Sequence, residues 1–131
     1  NSFGLLDTGA ATNFASTRFA KAMNMPIIGI TELQVSVFGQ QTPQMIKKVV
    51  CEMALPNEET IPVIISDFLI NPIDTSGYKN ILPMLPQSTE IDFIIGVKSL
   101  PVVLKSIQKL KQNLQRVDTV FGPTFLGSFS A

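Results

Sequence analysis

Leu5-Leu6-Asp7-Thr8-Gly9-Ala10 sets a carboxylate on a tight turn that follows a short apolar strand. A carboxylate held this way points into a cleft while its backbone stays fixed, and Gly9 lets the backbone of a second copy approach closely. Thr8 is placed to hydrogen-bond across the same junction and to hold both turns rigid. Two carboxylates brought close together cannot both ionise, so they share one proton. One then activates water as general base while its partner, as the acid, polarises a scissile carbonyl. On the tripeptide alone the plainer reading is that Asp7 caps an ordinary turn, since Asp and Gly are common turn residues. The surroundings shift the balance toward chemistry: two leucines precede the triad, a small residue follows, a hairpin comes next, and an Ile94-Ile95-Gly96 strand end lies further on.

Composition narrows the rivals. The chain has no histidine, which excludes a zinc site and any Ser–His or Cys–His nucleophile system. Catalysis is left to carboxylates, lysine, serine or threonine. Ten basic residues balance ten acidic ones, which gives no electrostatic case for nucleic acid, an anionic membrane or a strongly charged substrate. The single cysteine, Cys51, cannot form an internal disulfide and reads as a core or half-buried residue. With 131 residues, 45% hydrophobic and 15% charged, the sequence is globular and long enough for one domain, 1–131, with one core. No apolar run approaches the roughly 20 residues that span a bilayer, and no secretory signal is visible.

The elements that must position Asp7 follow from periodicity. Ser16 to Met23 reads as a helix capped by Ser16 or Thr17, with Pro26 beyond its end. Leu33, Val35 and Val37 alternate with polar residues, and Ile46 to Leu55 returns with Val49, Cys51, Met53 and Leu55 on one side, which makes a long hairpin. Asn57-Glu58-Glu59 is a turn, and Ile61 to Ile65 and Ile91 to Ile95 are further strands. Residues 71–90 read as a long loop of the kind that is functional or mobile. Leu100, Val103, Leu104, Ile107, Leu110, Leu114 and Val117 fall at helical spacing and predict an amphipathic helix over 102–117, with Lys105, Lys109 and Lys111 on its wet face. A terminal strand or arm closes the chain over 118–131. Strands dominate, which predicts a mostly β, closed, barrel-like fold with one or two helices.

The order of these segments resembles the retropepsin-like aspartic peptidases, most closely the branch found in BEL/Pao-type retrotransposons. Leu5 to Ala10 is similar to the family's active-site element, and Asn13-Phe14 with Phe19-Ala20-Lys21 and Met23-Asn24-Met25 to the helix that follows it. Val35-Ser36-Val37-Phe38-Gly39 resembles the strand into the flap, and Asp92-Phe93-Ile94-Ile95-Gly96 the second signature, a hydrophobic strand that ends in glycine before a helix. Thr119-Val120-Phe121-Gly122 with Leu126-Gly127 resembles the region's close.

The resemblance implies an endopeptidase of a retrotransposon polyprotein, active as a homodimer, with Asp7, Thr8 and Gly9 from each copy at the catalytic centre and no metal or cofactor. It implies substrate contacts at Ala10, Ala11, Phe38, Gly39, Gln40, Ile95 and Gly96, with flaps folding over an extended peptide that pairs like an added strand. Its partners would be itself and polyprotein segments, with no nucleic acid and no membrane, in the cytoplasm and within retrotransposon particles. Two features depart from the viral pattern. Ala11 and Val97 stand where many retroviral members carry a paired acid and arginine, so no buried charge is left alone. The hairpin that precedes the active-site strand in retropepsins is expected to be truncated or absent, since only Asn1 to Gly4 precede it.

Other residues read blandly. Asp74-Thr75-Ser76-Gly77 mimics the triad but carries an inserted serine and sits in a Pro-rich loop, Asp92 is structural, and Lys98 is solvated. The rival function is a domesticated retropepsin fold, catalytically weak or inactive, kept as a dimerisation or protein-interaction module. An intramolecular pseudo-dimer is rejected because only one credible Asp-Thr-Gly is present.

Overall fold

Inward and outward side chains alternate along residues 51–55, where Cys51, Met53 and Leu55 are buried and Ala54 is exposed. That period of two is what a half-buried strand requires. In the computed structural model, which describes residues 2–35, 39, 41–67, 69, 73–74, 88–111 and 114–127, the chain is mostly β. The strands are β1 (Gly4–Asp7), β2 (Phe14–Ser16), β3 (Ile27–Val35), β4 (Gln44–Ala54), β5 (Thr60–Ser66), β6 (Ile73–Asp74), β7 (Ser88–Thr89) and β8 (Phe93–Gly96), followed by β9 (Leu104–Lys111), β10 (Leu114–Thr119) and β11 (Gly122–Gly127). Helix α1 (Thr17–Ala22) follows β2, and a 3-10 turn (Val97–Ser99) leads into α2 (Leu100–Val103).

Six strands form the main sheet in the order β1-β8-β2-β5-β4-β3. The chain visits β1 and β2 in succession, yet β8 lies between them, parallel to β1 and antiparallel to β2. Strand β2 in turn runs parallel to β5. Parallel neighbours need long connections, so the end of β1 is fixed by segments far away in sequence. The hairpin β3–β4 is antiparallel and local, pairing Ile30 with Val49, Glu32 with Lys47 and Gln34 with Met45. Among the described residues this sheet is open, with β1 at one edge and β3 at the other. The expected closed barrel is therefore not formed: β9, β10 and β11 make a separate three-stranded sheet that does not bridge the two edges.

The core gathers Ala15, Phe19, Cys51, Met53, Leu55, Ile61, Val63, Phe93, Ile95 and Val103. Phe19 of α1 stacks on Phe93 of β8 with ring centroids 5.4 Å apart. Helix α1 begins where expected: the Ser16 hydroxyl accepts from the Phe19 N–H at 3.0 Å. It ends at Met23, followed by Asn24 in the left-handed region at φ 55°, which asparagine tolerates.

The helix expected over 102–117 is not there. Only Leu100–Val103 is helical, and the remainder forms β9 and β10, an antiparallel pair that sets Ile107 opposite Val117. Helical spacing would bury the apolar stripe as a unit, whereas here Val103 and Val117 are fully buried while Ile107 is 56% exposed. The β-branched Ile107 and Val117 favour extended backbone, and pairing on both sides of β10 outweighs the 3.6-residue pattern. The terminal strand expected over 118–131 is met in part by β11, which follows a turn where the Thr119 hydroxyl donates to the Gly122 carbonyl at 2.8 Å.

Candidate active site

Leu5 and Leu6 place β1 against β8 in parallel register, Leu5 beside Ile94, Leu6 beside Ile95 and Asp7 beside Gly96. The chain then turns: the Ala10 N–H donates to the Asp7 carbonyl at 3.1 Å, and the Gly9 N–H donates to Asp7 Oδ1 at 2.9 Å. A carboxylate that accepts a backbone N–H two residues on has lost much of its freedom to rotate. Asp7 is half-buried, whereas Thr8 and Gly9 are exposed, so the turn shows its tip to solvent. A Cβ on Gly9 would come within 3.2 Å of Asp7 Oδ1, tighter than most such contacts.

Behind the turn the packing is closer. The Val97 N–H donates to the Ala10 carbonyl at 2.8 Å, which locks the far end of the turn to the residue after β8. A Cβ on Gly96 would lie 2.4 Å from the Thr12 carbonyl oxygen and 2.8 Å from that of Ala10. Only glycine fits there, because residues 10–12 pass directly over the end of β8. Asn13 completes the arrangement: its Oδ1 accepts the Gly96 N–H at 2.8 Å, and its Nδ2 donates to the Pro62 carbonyl at 3.0 Å and to the Ser99 hydroxyl at 2.8 Å.

The other end of β1 is tied by Asp92, a residue expected to be structural. Its N–H donates to the Phe3 carbonyl at 2.8 Å, and its Oδ2 accepts the Phe3 N–H at 3.1 Å. Arg18 donates to Asp92 Oδ1 at 3.1 Å and pairs with Glu90 at 2.8 Å. Asp92 first and Glu90 second raise the Arg18 guanidinium further above its ordinary value. Asp92 thus joins the chain before β1 to α1 across the sheet.

The remaining expected residues divide. Ala10 and Gly96 lie at the turn, and Ala11 is exposed beside them. Val97 is 46% exposed and its N–H donates to the Ala10 carbonyl, so an apolar side chain lies at the surface beside the turn. Ile95, expected at the substrate cleft, is fully enclosed at 0% exposure and belongs to the core, on a strand whose four residues are all buried. Gly39 is exposed at a left-handed φ of 86°, while Phe38 and Gln40 lie outside the described residues. Asp74 belongs to β6, opposite Ser88, and the rest of its Asp-Thr-Ser-Gly run lies outside the described residues. Cys51 is buried, and that burial pushes its thiol up from the ordinary value.

An open cavity of about 500 Å³ lies between α1 and the hairpin, lined by Thr17, Lys21, Met25, Lys47, Cys51 and Asp67 among others. None of its walls comes from the Asp7 turn or from β8, so it is a separate feature. Among the described residues no cluster of three or more Cys, Asp or Glu could hold a metal, and no helix is long and apolar enough to cross a membrane.

Asn13 and Arg18 are the residues that reading the sequence missed. Their partners lie 83 and 74 residues away, and no local pattern announces such pairings. No family model, curated protein or solved structure matches this chain.

Proposed function

We propose that this chain is an aspartic endopeptidase of the retropepsin type, in which Asp7 works with Asp7 of a second copy. One observation carries the reading: a half-buried carboxylate is fixed on a turn that is clamped from behind by Gly96 and Val97, while Thr8 and Gly9 at its tip stay exposed. A turn of that kind is rigid on the protein side and free on the side where a second copy would meet it.

In the dimer the two carboxylates share one proton, since both cannot ionise at short range. The ionised partner takes a proton from water, which attacks the scissile carbonyl, and the protonated partner hydrogen-bonds the carbonyl oxygen as charge develops there. No metal or organic cofactor enters this scheme. The substrate would be an extended segment of a retrotransposon polyprotein, and the hairpin β3–β4, whose strands run toward Gly39, would fold over it as a flap. The setting would be cytoplasmic, within retrotransposon particles.

Peptide cleavage between about pH 4 and pH 7, at several protein concentrations and beside an Asp7→Asn control, tests the proposal. Activity that rises more steeply than concentration and disappears in the control supports a shared dyad. Equal inertness of both proteins, while both dimerise, favours a second reading, that of an interaction module. That reading draws on the edge strand β3, where Ile27 and Ile30 are 70% and 71% exposed, because an uncovered apolar edge is a site for strand addition whether or not catalysis occurs.

A further inference from the structure

We infer that Asn13 is the positioning residue of the Asp7 turn, and that its side-chain amide, acting through Gly96 and Ser99, sets where the carboxylate stands. The inference rests on the peptidase reading and adds to it a residue that never touches substrate.

The chemistry of its neighbours dictates an amide at this position. Asn13 is 2% exposed, so each of its polar atoms must find a partner inside the protein. The Gly96 N–H is only a donor and must face Oδ1, whereas the Pro62 carbonyl is only an acceptor and must face Nδ2. The second Nδ2 hydrogen goes to the Ser99 hydroxyl. Aspartate offers no donor for Pro62, and serine or threonine lacks the fork that reaches all three partners. The backbone is engaged as well, since the Asn13 carbonyl accepts the Ile64 N–H at 2.9 Å. One residue thus joins β5, the end of β8 and the 3-10 turn after it.

These attachments lead to Asp7 by two short routes. Gly96 is the register partner of Asp7 on β8. Val97, the next residue, holds the Ala10 carbonyl at the other end of the turn. The turn cannot drift backward, because the Thr12 carbonyl already lies where a Gly96 Cβ would be. Loosening Asn13 frees Gly96 and Val97 together, and the turn shifts relative to its twin. A displacement of about 1 Å at a reacting group costs on the order of 100-fold in rate.

The test uses the full chain as wild type, Asn13→Asp, Ser99→Ala and Ser99→Thr. Cleavage of one peptide gives kcat and KM, circular dichroism gives the folded fraction, and amide hydrogen exchange is read at Gly9, Gly96, Val97 and Cys51. The expected result is a kcat per folded molecule lower by about 100-fold in Asn13→Asp and by a lesser factor in Ser99→Ala. KM should stay near wild type, and Ser99→Thr, which keeps the hydroxyl acceptor, should recover the rate. Exchange should quicken at Gly96 and Val97 and not at Cys51. If Asn13→Asp does not fold, the two Ser99 variants decide alone. An unchanged kcat per folded molecule overturns the proposal, as does exchange that quickens equally at Cys51, since either leaves Asn13 a general support of the fold. If wild type is as inert as Asp7→Asn, the peptidase reading fails and this role fails with it. Failure of the inference alone instead leaves wild type active and Ser99→Ala equal to it.

Discussion

Gly96 and Gly29 are both strand glycines of the same sheet, and they occupy opposite worlds. A Cβ on Gly96 would meet the Thr12 carbonyl oxygen at 2.4 Å, whereas a Cβ on Gly29 would meet nothing within 4 Å. Around Gly96 the sheet is built from distant segments, its polar groups are paired, and its apolar side chains are enclosed. Around Gly29 the hairpin β3–β4 pairs mainly with itself, and Ile27, Ile28, Ile30 and Met45 face outward. The contrast assigns separate tasks to the two ends of one sheet. One end holds a carboxylate on a packed turn, and the other leaves apolar side chains exposed.

Gly96→Ala should break the contrast most severely. Its added methyl has only backbone to push against, and we expect a loss of about 3 kcal/mol or more, read by urea unfolding. Ile95→Ala should come next, costing about 2 to 4 kcal/mol through the cavity it leaves. The paired substitution Ile30→Ala, on a side chain 71% exposed, should stay within about 0.5 kcal/mol; an equal loss at both positions would erase the distinction. Gly29→Ala should be comparably small and of the opposite sign, a gain of about 0.4 kcal/mol from the stiffer unfolded chain. Cys51 marks the boundary, where the hairpin enters the core. Burial raises its thiol, so the folded state keeps the proton that the unfolded state releases. That contribution is whole below the ordinary thiol value of 9.0 and declines as pH climbs past it toward the folded value. Alkylation of Cys51 at neutral pH should accordingly be slow in the native protein and fast in urea.

Periodicity in the sequence was a good guide wherever one partner strand set one face. The hairpin, the Ser16-capped helix, β5 and the strand that ends at Gly96 are all legible, and the Asp7 turn lies on the element that its leucines foretell. It failed where two patterns overlapped. Residues 102–117 carry apolar side chains at helical spacing and β-branched ones at several of the same positions, and cross-strand pairing with β11 decided the outcome. Ile95, read from the sequence as a substrate contact, is enclosed in the core with the rest of its strand. Asn13 was visible only as a letter. Its role comes from three groups that folding brings to it, none of them a neighbour in the chain.

The parallel pairing of β1 with β8 also governs when this protein becomes what it is. Phe3 and Asp92, which tie the two strands together, stand 89 residues apart. Contacts of that span pay their loop-closure entropy late, and chains that depend on them fold slowly. During synthesis the Asp7 element emerges well before its supporting strand β8. The β3–β4 hairpin finds its partner strand much sooner. The nascent chain therefore pairs its β3–β4 hairpin before the Asp7 turn gains the strand that clamps it.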